Sequence, residues 1–278
     1  MMRFQTRIFA SIAASLCFGA YVSAAVITTN PGGKKDSGEA LRQDAVSTVL
    51  LSGNIEIGDA EKFVAAVFSK GIYKVPVEIF LNSTGGNIEE ARKIALIVHA
   101  ARMQVSVENT YALQEQATSF EPFVCASSCF LIYAAGENRT AFSGYGKVGI
   151  HRPYFRNGLE STSKEASLLS GAHDEISALL RQYGTPTRLV EKMISVPSNQ
   201  IYWLTDSDLA EIGFLSPAIE EIAIRECGFG RDLFDKQFQS SVARSQLKDS
   251  MTCLNERLHN ERSNVMMQLQ KGWRPYRR

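Results

Sequence analysis

Hydrophobic and polar positions alternate between two periods along this chain. Val46–Ile55 is a β-branched apolar run, and the segment after it carries Phe63, Val64, Val67 and Phe68 at helical spacing until Gly71. Val75–Ser83 reads as a second strand, broken by Thr84-Gly85-Gly86. A helix follows, with Asn87 placed to cap it, acids in its first turn and an apolar face of Ala91, Ile94, Ala95, Val98 and Ala101. Gln104–Ala112 gives a third strand, Val124–Gly136 a further helix, and Thr140–Pro153 returns as strand. Strands alternating with helices predict βαβ units and a largely parallel sheet. Beyond His151 the pattern turns helical, with Pro186 at a first-turn position of one helix and Thr205 or Asp206 capping another.

The two ends differ from this middle. Arg3 and Arg7 precede an apolar run from Ile8 to Val22 that closes on Ser23, Ala24 and Ala25, the layout of a secretory signal over residues 1–24. The competing reading is an uncleaved anchor, but the run is shorter than the roughly 20 residues a bilayer requires. The mature protein is therefore expected to be periplasmic or secreted, without stable membrane insertion. Residues 25–45 are polar and rich in Gly and Lys, a linker; 46–224 form the main domain and 225–278 a basic helical extension. From Cys227 onward there are ten Lys or Arg against five Asp or Glu, most simply a solvated face.

With 45% hydrophobic and 21% charged residues among 278, the chain can bury a substantial core. Without residues 1–24 its formal charge is −1, so nothing in the balance asks for nucleic acid. Four cysteines remain after the leader: Cys125, Cys129, Cys227 and Cys253. In an oxidising compartment three pairings are open, and proximity favours Cys125 with Cys129 and Cys227 with Cys253. Zinc needs tighter spacing in the second pair, so no metal is expected. There is no phosphate-binding loop, and no cofactor is expected.

Three short stretches carry the candidate chemistry: FLNSTGGNIEEA, CASSCFLIYAAG and GKVGIHRP, in that order. Alone, each has a bland reading. A Gly-Gly pair marks a turn, Ser127 and Ser128 can cap a helix, and His151 can be a hydrogen-bonded structural histidine. Of the four histidines, His99 falls on an apolar helix, His173 and His259 lie in polar helical sequence, and His151 alone ends a strand.

In combination the stretches resemble the Clp protease proteolytic subunit and its relatives on the crotonase-like fold, which include signal peptide peptidase A. The resemblance covers roughly Val46 to Ile222 and runs through YWLTDSDLAEIGFLSPAI. It implies a crotonase-like α/β spiral of βαβ units with a helical C-terminal portion, a polypeptide substrate and a homo-oligomer. It places a nucleophile at Ser127, a base at His151, and oxyanion donors in the backbone N–H groups of Gly86 and Ser128. Thr84 stands where the family has proline, and Ile201 where it has the triad aspartate, which leaves Asn199 as the nearest polar candidate to orient the histidine. The Cys-x-Ser-x-Cys pattern is similar to that of a periplasmic branch of the superfamily.

Chemically, a serine hydroxyl needs a neighbouring base, and imidazole is the side chain best suited near neutral pH. A Gly-Gly turn can aim backbone N–H groups where side chains would block the approach. Cys125 and Cys129 flank Ser127, so a bridge between them would fix the turn that presents it; a catalytic thiolate at either is the rival. The loop Leu113–Phe123 is a candidate for setting specificity. The alternative to an exported serine peptidase is an inactive interaction protein on the same scaffold, with acyl-CoA chemistry as a third class.

Overall fold

The protein was analysed as a computed structural model that describes residues 25–30, 47–68, 76–109, 121–141, 144–154, 163–230 and 243–277. The expected leader over 1–24 and most of the linker and of the 113–123 loop lie outside these.

Two runs of β-branched and aliphatic residues form the centre of the larger sheet. Strands β2 (Ser47–Ser52) and β3 (Val77–Asn82) pair in parallel, with Ser52 opposite Asn82. Helix α1 (Asp59–Phe68) connects them and buries Phe63, Val64 and Val67 against the sheet. Helix α2 (Ile88–Ala100) follows β3, and Asn87 caps it by accepting a hydrogen bond from the Glu90 amide at 3.0 Å. Strands β4 (Gln104–Ser106) and β6 (Arg139–Thr140) extend the sheet in parallel. On the other edge, β1 (Val26–Asn30) pairs antiparallel with β2, so the stretch read as linker begins with a strand.

A second sheet carries the residues expected to be functional. Strand β5 (Phe123–Ala126) lies parallel to β7 (Gly146–Ile150), and β8 (Tyr202–Trp203) runs antiparallel to β7. The return strand expected over 140–153 is therefore two strands in two sheets, with Gly144 in a left-handed turn (φ +89°) leading into β7. Likewise the third strand is shorter than expected, closing at Ser106. The sheets meet where Ser83 bridges Cys125 and the Ser83 amide donates to the Val124 carbonyl.

Short α3 (Cys129–Ala134) follows β5 and is buried on every side. Then come α4 (Ser163–Gln182), α5 (Thr187–Ser195), α6 (Asp206–Ile212) and α7 (Pro217–Cys227). Of the two caps expected, Thr205 is the one used, and Asp208 completes the capping box of α6 with it. Burial pushes its carboxyl up, but hydrogen bonds from Arg188, Thr205 and Tyr202 outweigh this and hold it at about 2.

Helix α8 (Ala243–Gln270) has 28 residues, about 42 Å at the helical rise. It builds a small core with α7 from Ile219, Ala223, Phe229, Leu254 and Leu258, beside the Cys227–Cys253 disulfide. The helical portion expected beyond His151 is present from α4 onward, and α7 and α8 pack on each other across the 225 boundary. Met266 and Leu269 then join the main core, and Arg274, Tyr276 and Arg277 all bond Glu61 on α1. Among the described residues, no helix is long and apolar enough to cross a membrane.

Candidate active site

The site starts from an elbow. Strand β5 must turn sharply into α3, and the turn is made at Ser127, whose φ of +58° is left-handed. A residue with a Cβ pays about 1–2 kcal/mol for that conformation, which persists only where its surroundings fix it. Three features do so here. The Cys125–Cys129 disulfide spans the turn with its Cα atoms 5.3 Å apart, and the Ser127 amide donates to the Gly149 carbonyl at 3.0 Å. The third is Gly85 (φ +95°), whose bare Cα packs so closely that a Cβ would lie 2.7 Å from the Ser127 Cβ and 2.9 Å from the Ser128 nitrogen. A strand, a left-handed serine and a helix in this order form the kind of elbow that exposes a nucleophile.

Gly86 meets the opposite wall. A Cβ there would fall 2.2 Å from the Ile55 carbonyl oxygen, so the Gly-Gly pair is required by close approach on both sides. The Ile55 amide donates to the Gly85 carbonyl and the Asn87 amide to the Ile55 carbonyl. Where the family resemblance calls for proline, Thr84 instead donates its hydroxyl to Asn54 Oδ1 at 2.9 Å. The amides of Gly86 and Ser128 make no hydrogen bond among the described residues.

His151 follows β7 directly and is buried. Its Nδ1 lies 2.8 Å from the Arg152 carbonyl. A carbonyl oxygen can only accept, so Nδ1 carries the hydrogen and Nε2 is the acceptor. The Arg152 amide in turn donates to the Val196 carbonyl, and His173 Nε2 lies 3.3 Å from the Pro153 carbonyl. The main chain around His151 is thus held from α4 and from the end of α5.

Ser127, Ser128, Gly86 and His151 line one cavity of about 710 Å³, within the usual range for a ligand site. Ser127 is half-buried and has no hydrogen bond to His151 in this structure. The neighbouring Ser128 is buried, stands at the N-cap position just before α3 without a side-chain capping bond, and leaves its hydroxyl unpartnered among the described residues. Asn199 is not brought to the site. It is exposed in the turn closed by the Gln200 amide on the Pro197 carbonyl, and the Arg152 carbonyl takes the position on Nδ1 that the sequence reading gave to Asn199. Among the described residues, no carboxylate bonds the His151 ring.

The sequence reading missed the far wall of the cavity, Asn54–Ile57, together with Tyr154. His99 is half-buried on α2: its ring lies 4.8 Å from that of Tyr183, and desolvation, helped by Arg102 and Arg139, lowers it to about 4. His259 is exposed on α8. The four cysteines among the described residues are paired, Cys125 with Cys129 and Cys227 with Cys253, which leaves none of these four as a thiolate for catalysis. Among the described residues, no group of three or more His, Cys, Asp or Glu side chains is arranged to hold a metal ion.

No protein-family model matches the chain, and no curated protein matches it. Among solved structures, ClpP1 from Listeria monocytogenes and a point mutant of it are similar to this chain at 22% identity, with TM-scores of 0.43 and 0.44. Each comparison covers 60% of this chain and 88% of the other. Likeness at that level adds no weight to the chemistry, which rests on the geometry described above. The fold itself is mixed α/β.

Proposed function

We propose that this chain is an exported serine-type hydrolase that cleaves polypeptides, on a crotonase-like scaffold related to the Clp proteolytic subunit. The observation that carries the reading is the convergence of a left-handed serine, an imidazole with Nε2 as acceptor, and two unpaired amides on one cavity. Export is supported by the charged and apolar pattern of residues 1–24 and by two disulfides, which persist in oxidising compartments. Self-association belongs to the same reading through the family resemblance.

The steps follow from the positions. Ser127 Oγ attacks the peptide carbonyl carbon while its proton passes to His151 Nε2. The carbonyl π pair moves to oxygen, and the amides of Gly86 and Ser128 receive the resulting negative charge. Collapse restores the carbonyl and expels the amine, which takes the proton from Nε2, leaving an ester on Ser127. Water, deprotonated by the same nitrogen, repeats the sequence and releases the carboxylic acid. The Arg152 carbonyl fixes the tautomer of His151 but carries no full charge, so the imidazolium formed in each half is stabilised less than beside a carboxylate.

That last feature, with the missing Ser127–His151 hydrogen bond, favours one second reading: an inactive binding protein that keeps the scaffold. Acyl-CoA chemistry is disfavoured, because among the described residues no Lys or Arg lines the cavity to meet phosphates. A fluorophosphonate probe decides between hydrolase and scaffold. Wild type should label at Ser127 between about pH 6 and 9, where imidazole serves as a base, and Ser127→Ala should abolish labelling with the circular dichroism spectrum unchanged. Absence of labelling across that range would leave the binding reading.

A further inference from the structure

The lining of the cavity is asymmetric in charge and in exposed apolar surface. Glu56 and Glu89 are its acidic lining residues, and Ile57 and Tyr154, also in the lining, are 82% and 50% exposed. Exposed apolar side chains are common singly, but these two border one cavity and offer an apolar group of a ligand a contact there. The two acids are not equivalent. Glu89 is neutralised by Arg92, whose Nε and Nη2 each bond it at 2.8 Å. Glu56 has no ion pair among the described residues, because Lys62, six positions on, gives its ammonium to Asp59 at 2.8 Å. The Glu56 amide also donates to Asp59, which fixes the main chain that presents the Glu56 carboxylate beside Ile57.

We infer that this cavity selects cationic amphipathic peptides, with Glu56 receiving a Lys or Arg side chain and Ile57 and Tyr154 gripping an adjacent apolar one. The assignment of a substrate class rests on the peptidase reading, but the recognition itself does not require turnover. Acidic peptides are excluded by the same carboxylate, and short polar ones lack a partner for the two apolar jaws. Glu56, Ile57 and Tyr154 are specificity-determining residues in this account and take no part in bond making.

The test separates recognition from chemistry. Binding is measured by fluorescence anisotropy on the full mature chain carrying Ser127→Ala, with dye-labelled Leu-Lys, Leu-Gln and Leu-Glu versions of one ten-residue peptide. The Leu-Lys peptide should bind about tenfold tighter than the Leu-Glu one, and the ratio should shrink as salt rises. Adding Glu56→Gln should weaken the Leu-Lys complex about fivefold, Glu56→Lys should reverse the ranking, and Tyr154→Ser should weaken all peptides alike. Equal affinities for the three peptides, or a ranking that Glu56→Lys leaves unchanged, overturns the inference. Fluorophosphonate labelling of wild type, run alongside, reports on the peptidase reading separately: labelling with equal affinities sinks the substrate class alone, and a ranked series without labelling sinks hydrolysis alone.

Discussion

Each of the two disulfides closes a region, and the regions use the bond differently. Cys125–Cys129 closes a loop of 4 residues around the elbow, whereas Cys227–Cys253 closes one of 26 and joins α7 to the long α8. Loop-closure entropy gives the longer link about 3–4 kcal/mol and the shorter about 2 kcal/mol. The short one sits where geometry matters most, at a residue with φ +58° that supplies the candidate nucleophile. The long one organises a peripheral layer whose core is separate until Met266 and Leu269 reach the main body. Stabilising a fold and positioning an atom are therefore distinct tasks for the same covalent bond.

Removing the bonds one at a time should dissociate the two effects. Cys125→Ser with Cys129→Ser should lower the fluorophosphonate labelling rate on the order of a hundredfold, because a small misplacement of a nucleophile is that costly. The same variant should lose only about 2 kcal/mol in a urea melt. Cys227→Ser with Cys253→Ser should show the reverse, about 3–4 kcal/mol of stability lost with labelling within about twofold of wild type. Equal losses of rate in both variants would dissolve the distinction.

A pH series sharpens the account of the C-terminal region. Glu137 is buried beneath α8, and desolvation, only partly offset by Arg262 and Arg102, raises its carboxyl to about 7. A folded pKa above the unfolded one means the contribution is full below about pH 4.5 and is lost as pH rises to about 7. The loss amounts to about 3 kcal/mol as an order of magnitude. Glu137→Gln should flatten the urea midpoint across that window while leaving labelling at Ser127 intact. The smallest effect is expected at Asn199→Ala, which should change labelling by less than about twofold, since the Arg152 carbonyl already holds Nδ1. A large fall there would restore Asn199 as the orienting group.

Much of this was legible in the sequence where periodicity or spacing carries it. The apolar stripes of α1 and α2 and the β-branched runs of β2 and β3 mark their own buried faces, and Asn87 announces the start of α2. Gly85-Gly86, Ser127 and His151 pointed to one cavity only through their order and the family resemblance it carries, because each alone has a bland reading as a turn, a cap or a structural histidine. The wall at Asn54–Ile57 was not legible, since it is set by the parallel register that places Ser52 opposite Asn82 and so brings 54–57 beside 84–87. Register is a relation between segments and leaves no mark on either alone. The partner of His151 was hidden for a different reason: every residue carries a carbonyl, so nothing in the side chains of PSNQIYW could reveal that Arg152 would supply it.

One end of the molecule bears on how it comes into being. Residues 274, 276 and 277 close on Glu61 across separations of 213 to 216 positions, and the hydrogen bond from Tyr276, then Arg274, holds the Glu61 carboxyl below its ordinary value. Those contacts cannot form until residues 274–277 have been synthesised, so α1 completes its surface only after the helices that follow it in sequence. The clasp on Glu61 is thereby a late event in folding, because the segments that make it are at least 213 positions apart.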